Sequence, residues 1–142
     1  ARAALDAAIA INPKAAKAHL LIALLELAAG RLDAASAEIE KESGDWYRLE
    51  GRVILAFASK RLPESNAALA RLIDCCHAAA AVQIAQAYAY RGERDQAFEW
   101  LDRAYTQKDP GLINVKTDPL FASLRKDPRF SKLLRRMKLP ES

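Results

Sequence analysis

Glycine and proline are scarce, five and six in 142 residues, and they fall mostly between apolar-periodic runs. With Ala, Leu and Ile dominating a hydrophobic fraction of 51%, so few breakers favour an all-helical chain. No apolar run approaches the roughly 20 residues needed to cross a bilayer, so this stretch has no transmembrane segment. A starting Met and a signal-peptide pattern are also missing. The chain opens mid-helix at "ARAALDAAIAINP" and reads as a fragment of a longer protein, so the lack of a targeting signal carries little weight.

Histidine is limited to His19 and His77, and cysteine to the adjacent pair Cys75-Cys76. Helix neighbours point about 100° apart, so a bridge between these cysteines would be strained. Both are expected to be small buried thiols, as suits a reducing compartment. Cys75-Cys76-His77 does not make a metal site: three consecutive residues cannot converge on one ion, and no second pair exists to complete a tetrahedron. No cofactor is expected. There is no phosphate-cradling glycine loop, no nucleophile elbow and no HExxH pattern. Glu38, Glu40 and Glu42 read as a solvated helix face and not as an acid–base pair, so enzyme activity is not expected.

What the chain does contain is one phrase used three times: "AGRLDAASAEIEKE" from Ala29, "SKRLPESNAALARLI" from Ser59 and "YRGERDQAFEWLDRAY" from Tyr90. Each copy follows an apolar helix-periodic run, turns, and opens a second helical run. The turn positions Gly30, Lys60 and Gly92 lie 30 and 32 residues apart, a spacing typical of stacked helical repeats, which mostly bind other proteins. The periodicity predicts helices over 1–11, 14–29, 31–42, 45–59, a fifth with Pro63 in its first turn and Leu62, Leu69, Leu72 and Ile73 along it, then 78–91 and 95–107. Ser43-Gly44 breaks the third, and Asp45 is placed to cap the fourth. After Asp109-Pro110-Gly111 come two Asp-Pro pairs, Asp118-Pro119 and Asp127-Pro128, each punctuation for a helix start. They predict a short helix over 119–125 and a longer one over 128–138, with Phe130, Leu133, Leu134 and Met137 on one face that must pack on the preceding repeat as a cap.

These residues resemble the tetratricopeptide repeat family. Ala1, Leu5, Ala8 and Pro13 match the second-helix half of its pattern. Gly30, Ala35 and Ile39 belong to the next unit, Lys60, Ser65, Leu69 and Leu72 to a degenerate third. Ile84, Tyr88, Gly92, Ala97, Leu101, Ala104 and Pro110 give the best copy. The segment from "AYAYRGERDQAFEWLDRAY" to "RRMKL" looks like the closing part of such arrays in bacterial multidomain signalling proteins, where they follow an adenylate/guanylate cyclase, a winged-helix regulator or a protein kinase domain. The resemblance implies an all-α, right-handed superhelix of antiparallel helix pairs with C-terminal capping helices. Repeats would cover 1–110 and the cap 111–142, all in one domain.

By the geometry of that family, first-helix residues line a concave groove, here Lys17, Leu20, Leu24, Tyr47, Glu50, Ile54, Val82, Gln86 and Tyr90. Such a mixture suits an extended peptide or an amphipathic helix. The clamp of Lys, Asn and Arg with which some relatives hold acidic chaperone tails is absent, because Asn12, Asn66 and Asn114 all lie outside first-helix interiors. The expected function is a protein–protein interaction or scaffold module, C-terminal and regulatory in a bacterial, cytoplasmic signalling protein. Two other readings stay open: docking on, or dimerising, an attached domain, and binding nucleic acid or an acidic surface. The last rests on Arg125, Lys126, Arg129, Lys132, Arg135, Arg136 and Lys138, which with Asp127 give this segment +6 in a chain of +4. It lacks interleaved exposed aromatics, and cations favour a helix C-terminus in any case.

Overall fold

A computed structural model describes residues 2–12 and 16–139, and among them it is helical without any strand. The elements are α1 (Arg2–Ile11), α2 (Ala18–Ala28), α3 (Leu32–Lys41), α4 (Asp45–Ala58), α5 (Leu62–Cys76), α6 (Ala81–Tyr90), α7 (Arg94–Thr106), two 3-10 helices η1 (Pro110–Asn114) and η2 (Pro119–Leu124), and α8 (Pro128–Arg136). Among the described residues no helix is long and apolar enough to cross a membrane. The positions predicted to end the first helix and open the second, Pro13 and Lys14, lie outside the described residues. The chain divides into two compact units, Ala1–Cys75 and Cys76–Ser142, and the division falls near the end of α5.

The three turn positions share one backbone state. Gly30, Lys60 and Gly92 have φ of 80°, 61° and 78°, the left-handed region that glycine enters without steric cost. Each closes its helix in the same way. The residue itself donates to the carbonyl three back, and the next residue donates to the carbonyl five back, as in Arg31 N to Glu26 O at 2.8 Å, Arg61 N to Ala56 O at 2.8 Å and Glu93 N to Tyr88 O at 3.0 Å. Lys108 and Lys138, at φ 57° and 59°, repeat the closure after α7 and α8.

In the first unit α2 packs on α1, α3 and α4. Ala35 and Ile39 of α3 are 0% and 1% exposed and meet Ala23 and Leu55, while Leu32 stays 41% exposed. Close approach of α3 and α4 depends on Gly51, since a Cβ there would lie 2.9 Å from Ile39 Cγ1. On α5 the buried face is Ser65, Leu69 and Leu72, and the Ser65 hydroxyl donates to the Val53 carbonyl at 2.9 Å. Ser65 is small, and its buried hydroxyl is satisfied by a neighbouring helix.

Three expectations are corrected here. Asp45 is not the cap of α4. It is the first residue of that helix and pairs with Arg48, while the cap position is Gly44, which provides no side chain. Nor do all three glutamates form a solvated face, although Glu40 stays exposed. Glu38 bonds His19 Nδ1 at 2.7 Å, Glu40 takes both Arg52 Nε and Nη2, and Glu42 is 1% exposed. The Glu42 carboxylate accepts the amides of Lys17 at 3.0 Å, Leu20 at 3.1 Å and Gly44 at 3.1 Å. It thereby caps the start of α2 from the far end of α3, where free N–H groups and the helix dipole favour an anion. Finally, the cysteines are not buried thiols. Cys75 is exposed, Cys76 half-buried, and the two are disulfide-bonded. Leu69 and Leu72 take the inward side of α5, which turns Cys75 toward solvent.

In the second unit α6 packs on α7 and η2. Ala97, Leu101 and Ala104 are each 0% exposed. The tail is punctuated by three Asp-Pro steps at Asp109, Asp118 and Asp127. Each aspartate accepts the amide two residues on, from Gly111 at 2.8 Å, Leu120 at 2.9 Å and Arg129 at 2.9 Å. The first step opens η1, a turn not anticipated from sequence, and the second gives a 3-10 helix where a short helix was expected. On α8 the apolar face of Phe130, Leu133 and Leu134 is buried as expected, and Met137 is half-buried just beyond the helix.

Two ion pairs fix α8 against α7. Arg129 reaches Asp95 at 2.9 Å and Arg136 reaches Asp102 at 3.0 Å, each spanning 34 residues. A constant separation means that the two helices run in the same direction in one register. The same arginines lie over aromatic rings of α7, Arg129 4.4 Å from the Phe98 centroid and Arg136 4.3 Å from that of Tyr105.

Candidate functional site

Of the nine expected groove residues, five are buried: Leu20 (2% exposed), Glu50 (0%), Ile54 (0%), Val82 (2%) and Gln86 (2%). Two of these are covered by the chain's own tail. A Cβ on Gly111 would meet Val82 Cβ at 3.2 Å, and Gln86 Nε2 donates to Asp118 Oδ2 at 2.5 Å. The remaining four, Lys17, Leu24, Tyr47 and Tyr90, are half-buried and keep an accessible edge. Lys17 adopts φ 76° just before α2, its amide fixed by Glu42. The Tyr47 ring lies against Gly44, where an added Cβ would approach it to 2.7 Å, with its edge to Trp46 at 5.9 Å between centroids. Burial raises the Tyr90 hydroxyl above the usual tyrosine range. First-helix position thus correctly marks an inward direction, but in this chain that direction is mostly core.

All seven basic residues of the tail are exposed. Several are nonetheless engaged, Arg135 among them. Arg125 donates to the Asp118 carbonyl at 3.0 Å, and Arg129 and Arg136 hold α7 as described. Arg129 also chelates Asp127, and its hydrogen bonds hold that carboxyl down at about 2. Lys126, Lys132 and Lys138 have no ion pair among the described residues. The stripe is therefore partly a packing surface, which reduces the number of charges open to phosphates.

A second ion cluster sits at the end of α2. Glu26, 5% exposed, accepts Arg31 Nε and Arg2 Nη1, both at 2.5 Å, tying α1 to the turn at Gly30. The Arg31 hydrogen bond, then that of Arg2, lowers the Glu26 carboxyl below its ordinary range.

The sequence did not point to a cleft of about 320 Å³ between α4 and α5. Leu49, Leu55 and Ala56 of α4 and Ala67 and Ala68 of α5 line it, with Arg52, Arg61, Glu64 and Arg71 around them. Arg52 is already paired with Glu40, which lowers that carboxyl, whereas Arg61 and Arg71 have no ion pair among the described residues. Among the described residues no group of three or more His, Cys, Asp or Glu could hold a metal ion.

Comparison of the chain with known proteins finds no matching family model, no matching curated protein and no matching solved structure.

Proposed function

We propose that the chain is a protein–protein interaction module built as a tetratricopeptide-like stack, serving as the C-terminal regulatory part of a larger bacterial signalling protein. The observation that carries this reading is the register of α7 and α8: two ion pairs, each between residues 34 apart, hold the two helices parallel and side by side. Unit-by-unit stacking of this kind supplies extended side-chain surface, and surface contact is what such stacks offer a partner. The common helix closure at Gly30, Lys60 and Gly92 supports the same repetition. Support for the regulatory setting comes from the resemblance of the tail to the closing segment of arrays in bacterial signalling proteins.

The test is partner capture by cross-linking, with the half-buried groove edge altered in separate variants, Leu24→Glu, Tyr47→Glu and Tyr90→Glu. Ile54 is unsuitable, because a charge at a fully buried site would unfold the chain. Selective loss of a partner in a variant of unchanged thermal stability supports the module. Capture of no partner by the parent chain, in the cell type that makes it, would overturn it.

A further inference from the structure

We infer that the cleft between α4 and α5 is a docking site for an acidic peptide segment in which two carboxylates flank an apolar side chain. The inference rests on the module reading and gives it a location and a partner chemistry. Leu55 and Ala56 form a buried floor, 8% and 7% exposed, and Ala67 and Ala68 leave open the space that larger side chains would fill. Arg61 and Arg71 are exposed at its two ends and lack an internal carboxylate among the described residues. Ten residues of helix separate them, about 15 Å at 1.5 Å per residue, and residues 61, 64, 68 and 71 share one helical stripe.

The spacing selects the ligand. An extended peptide rises about 3.3 Å per residue, so carboxylates four positions apart stand about 13 Å from each other, with a central side chain over the floor between them. Planar guanidinium forks suit carboxylates, and both arginines are uncommitted. Glu64 lies on the same stripe three residues from Arg61 and seven from Arg71, so it lines the cleft between the two guanidinium groups.

The probe is a blocked peptide, Glu-Gly-Leu-Gly-Glu, titrated to millimolar concentration into the isotope-labelled full chain and followed by amide chemical shifts. Shifts should concentrate at Leu55, Ala67 and Ala68. The Gln-Gly-Leu-Gly-Gln peptide should bind about tenfold more weakly, as should the glutamate peptide to an Arg61→Gln/Arg71→Gln variant. Ala68→Trp, which fills the cleft from a partly exposed site, should abolish the shifts while the remaining spectrum is preserved. Equal binding of the two peptides overturns the proposal. Shifts confined to Lys126, Lys132 and Lys138, or to Leu24, Tyr47 and Tyr90, overturn the cleft but leave the module reading standing. No shift at any residue overturns the cleft and counts against the module as well.

Discussion

Arg136 donates to Asp102 over 3.0 Å while its guanidinium lies on the ring of Tyr105, so one side chain of α8 makes two different bonds to α7. The ion pair is exposed, and exposed pairs contribute about 0–1 kcal/mol. The ring contact adds about 0.5–1 kcal/mol and removes apolar surface from water. Asp102→Ala should therefore cost less than about 0.5 kcal/mol, and Arg136→Ala about 1 kcal/mol or more. Urea unfolding of the two single variants and the double variant separates the terms. Equal losses would show that the ring contributes nothing.

At the helix closures, a lysine in the left-handed region carries a steric cost that glycine avoids, partly offset by glycine's greater freedom when unfolded. Lys60→Gly and Lys108→Gly should each stabilise the chain, by about 0.5 kcal/mol. Gly92→Ala should destabilise it by about 1 kcal/mol or more. Nothing lies within 4 Å of a Cβ built on Gly92, so that loss would be purely conformational. Thermal melts suffice, and a neutral Gly92→Ala would contradict the assignment.

Gly51→Ala would ordinarily strengthen a helix interior by about 1 kcal/mol. Here the new methyl would meet three carbons of Ile39 at 2.9 to 3.3 Å, and Ile39 is enclosed and β-branched. Overpacking of about 1–3 kcal/mol should win, giving net destabilisation. An Ile39→Ala background should relieve that penalty, so the effect of Gly51→Ala should change sign between the two backgrounds.

Glu42→Gln keeps the shape of the side chain but replaces one accepting oxygen with a donor facing amides that also donate. A loss of about 2 kcal/mol is expected, from hydrogen bonds made to a buried charge. Hydrogen exchange should accelerate first at the Leu20 amide, which loses its acceptor. Unchanged protection there would remove Glu42 from its capping role.

Acid should weaken the tail in a defined window. The Asp127 carboxyl titrates at about 2 when folded, held down by Arg129, against about 3.9 in an unfolded chain. A depressed carboxyl stabilises the fold above its unfolded value, and that contribution is lost as pH falls from about 4 to about 2. Glu26 and Glu40 shift in the same direction. The stability gap between the parent chain and Asp127→Asn should accordingly be full at pH 7 and close between pH 4 and 2. A gap independent of pH would contradict this account.

Local features were legible in the sequence, and long-range ones were not. Gly30 and Gly92 announced the left-handed closures, and the matching turn context revealed Lys60 as their equivalent despite its side chain. Asp118 and Asp127 were readable as caps because their acceptor role is satisfied two residues away. Glu42 was not, since two of the three amides it accepts, those of Lys17 and Leu20, lie at the start of α2, 25 and 22 residues earlier. The surroundings of the groove positions were not legible for a related reason. Periodicity says that Val82 and Gln86 point inward, but whether solvent or the chain's own tail meets them depends on residues 109–118. The cleft at Ala67 and Ala68 depends on what is missing opposite them, which no local pattern encodes.

The aspartates of the first two Asp-Pro steps divide their oxygens between two tasks. Asp109 Oδ1 caps its own turn while Oδ2 takes the Val82 amide at 3.3 Å, and Asp118 does the same for Leu120 and for Gln86. Val82 and Gln86 are one turn apart, about 6 Å along α6. The tail is thus indexed to α6 like a key with two teeth. Inserting or deleting a single residue between 110 and 117 would withdraw one tooth, while length changes after Lys138 would leave both in place.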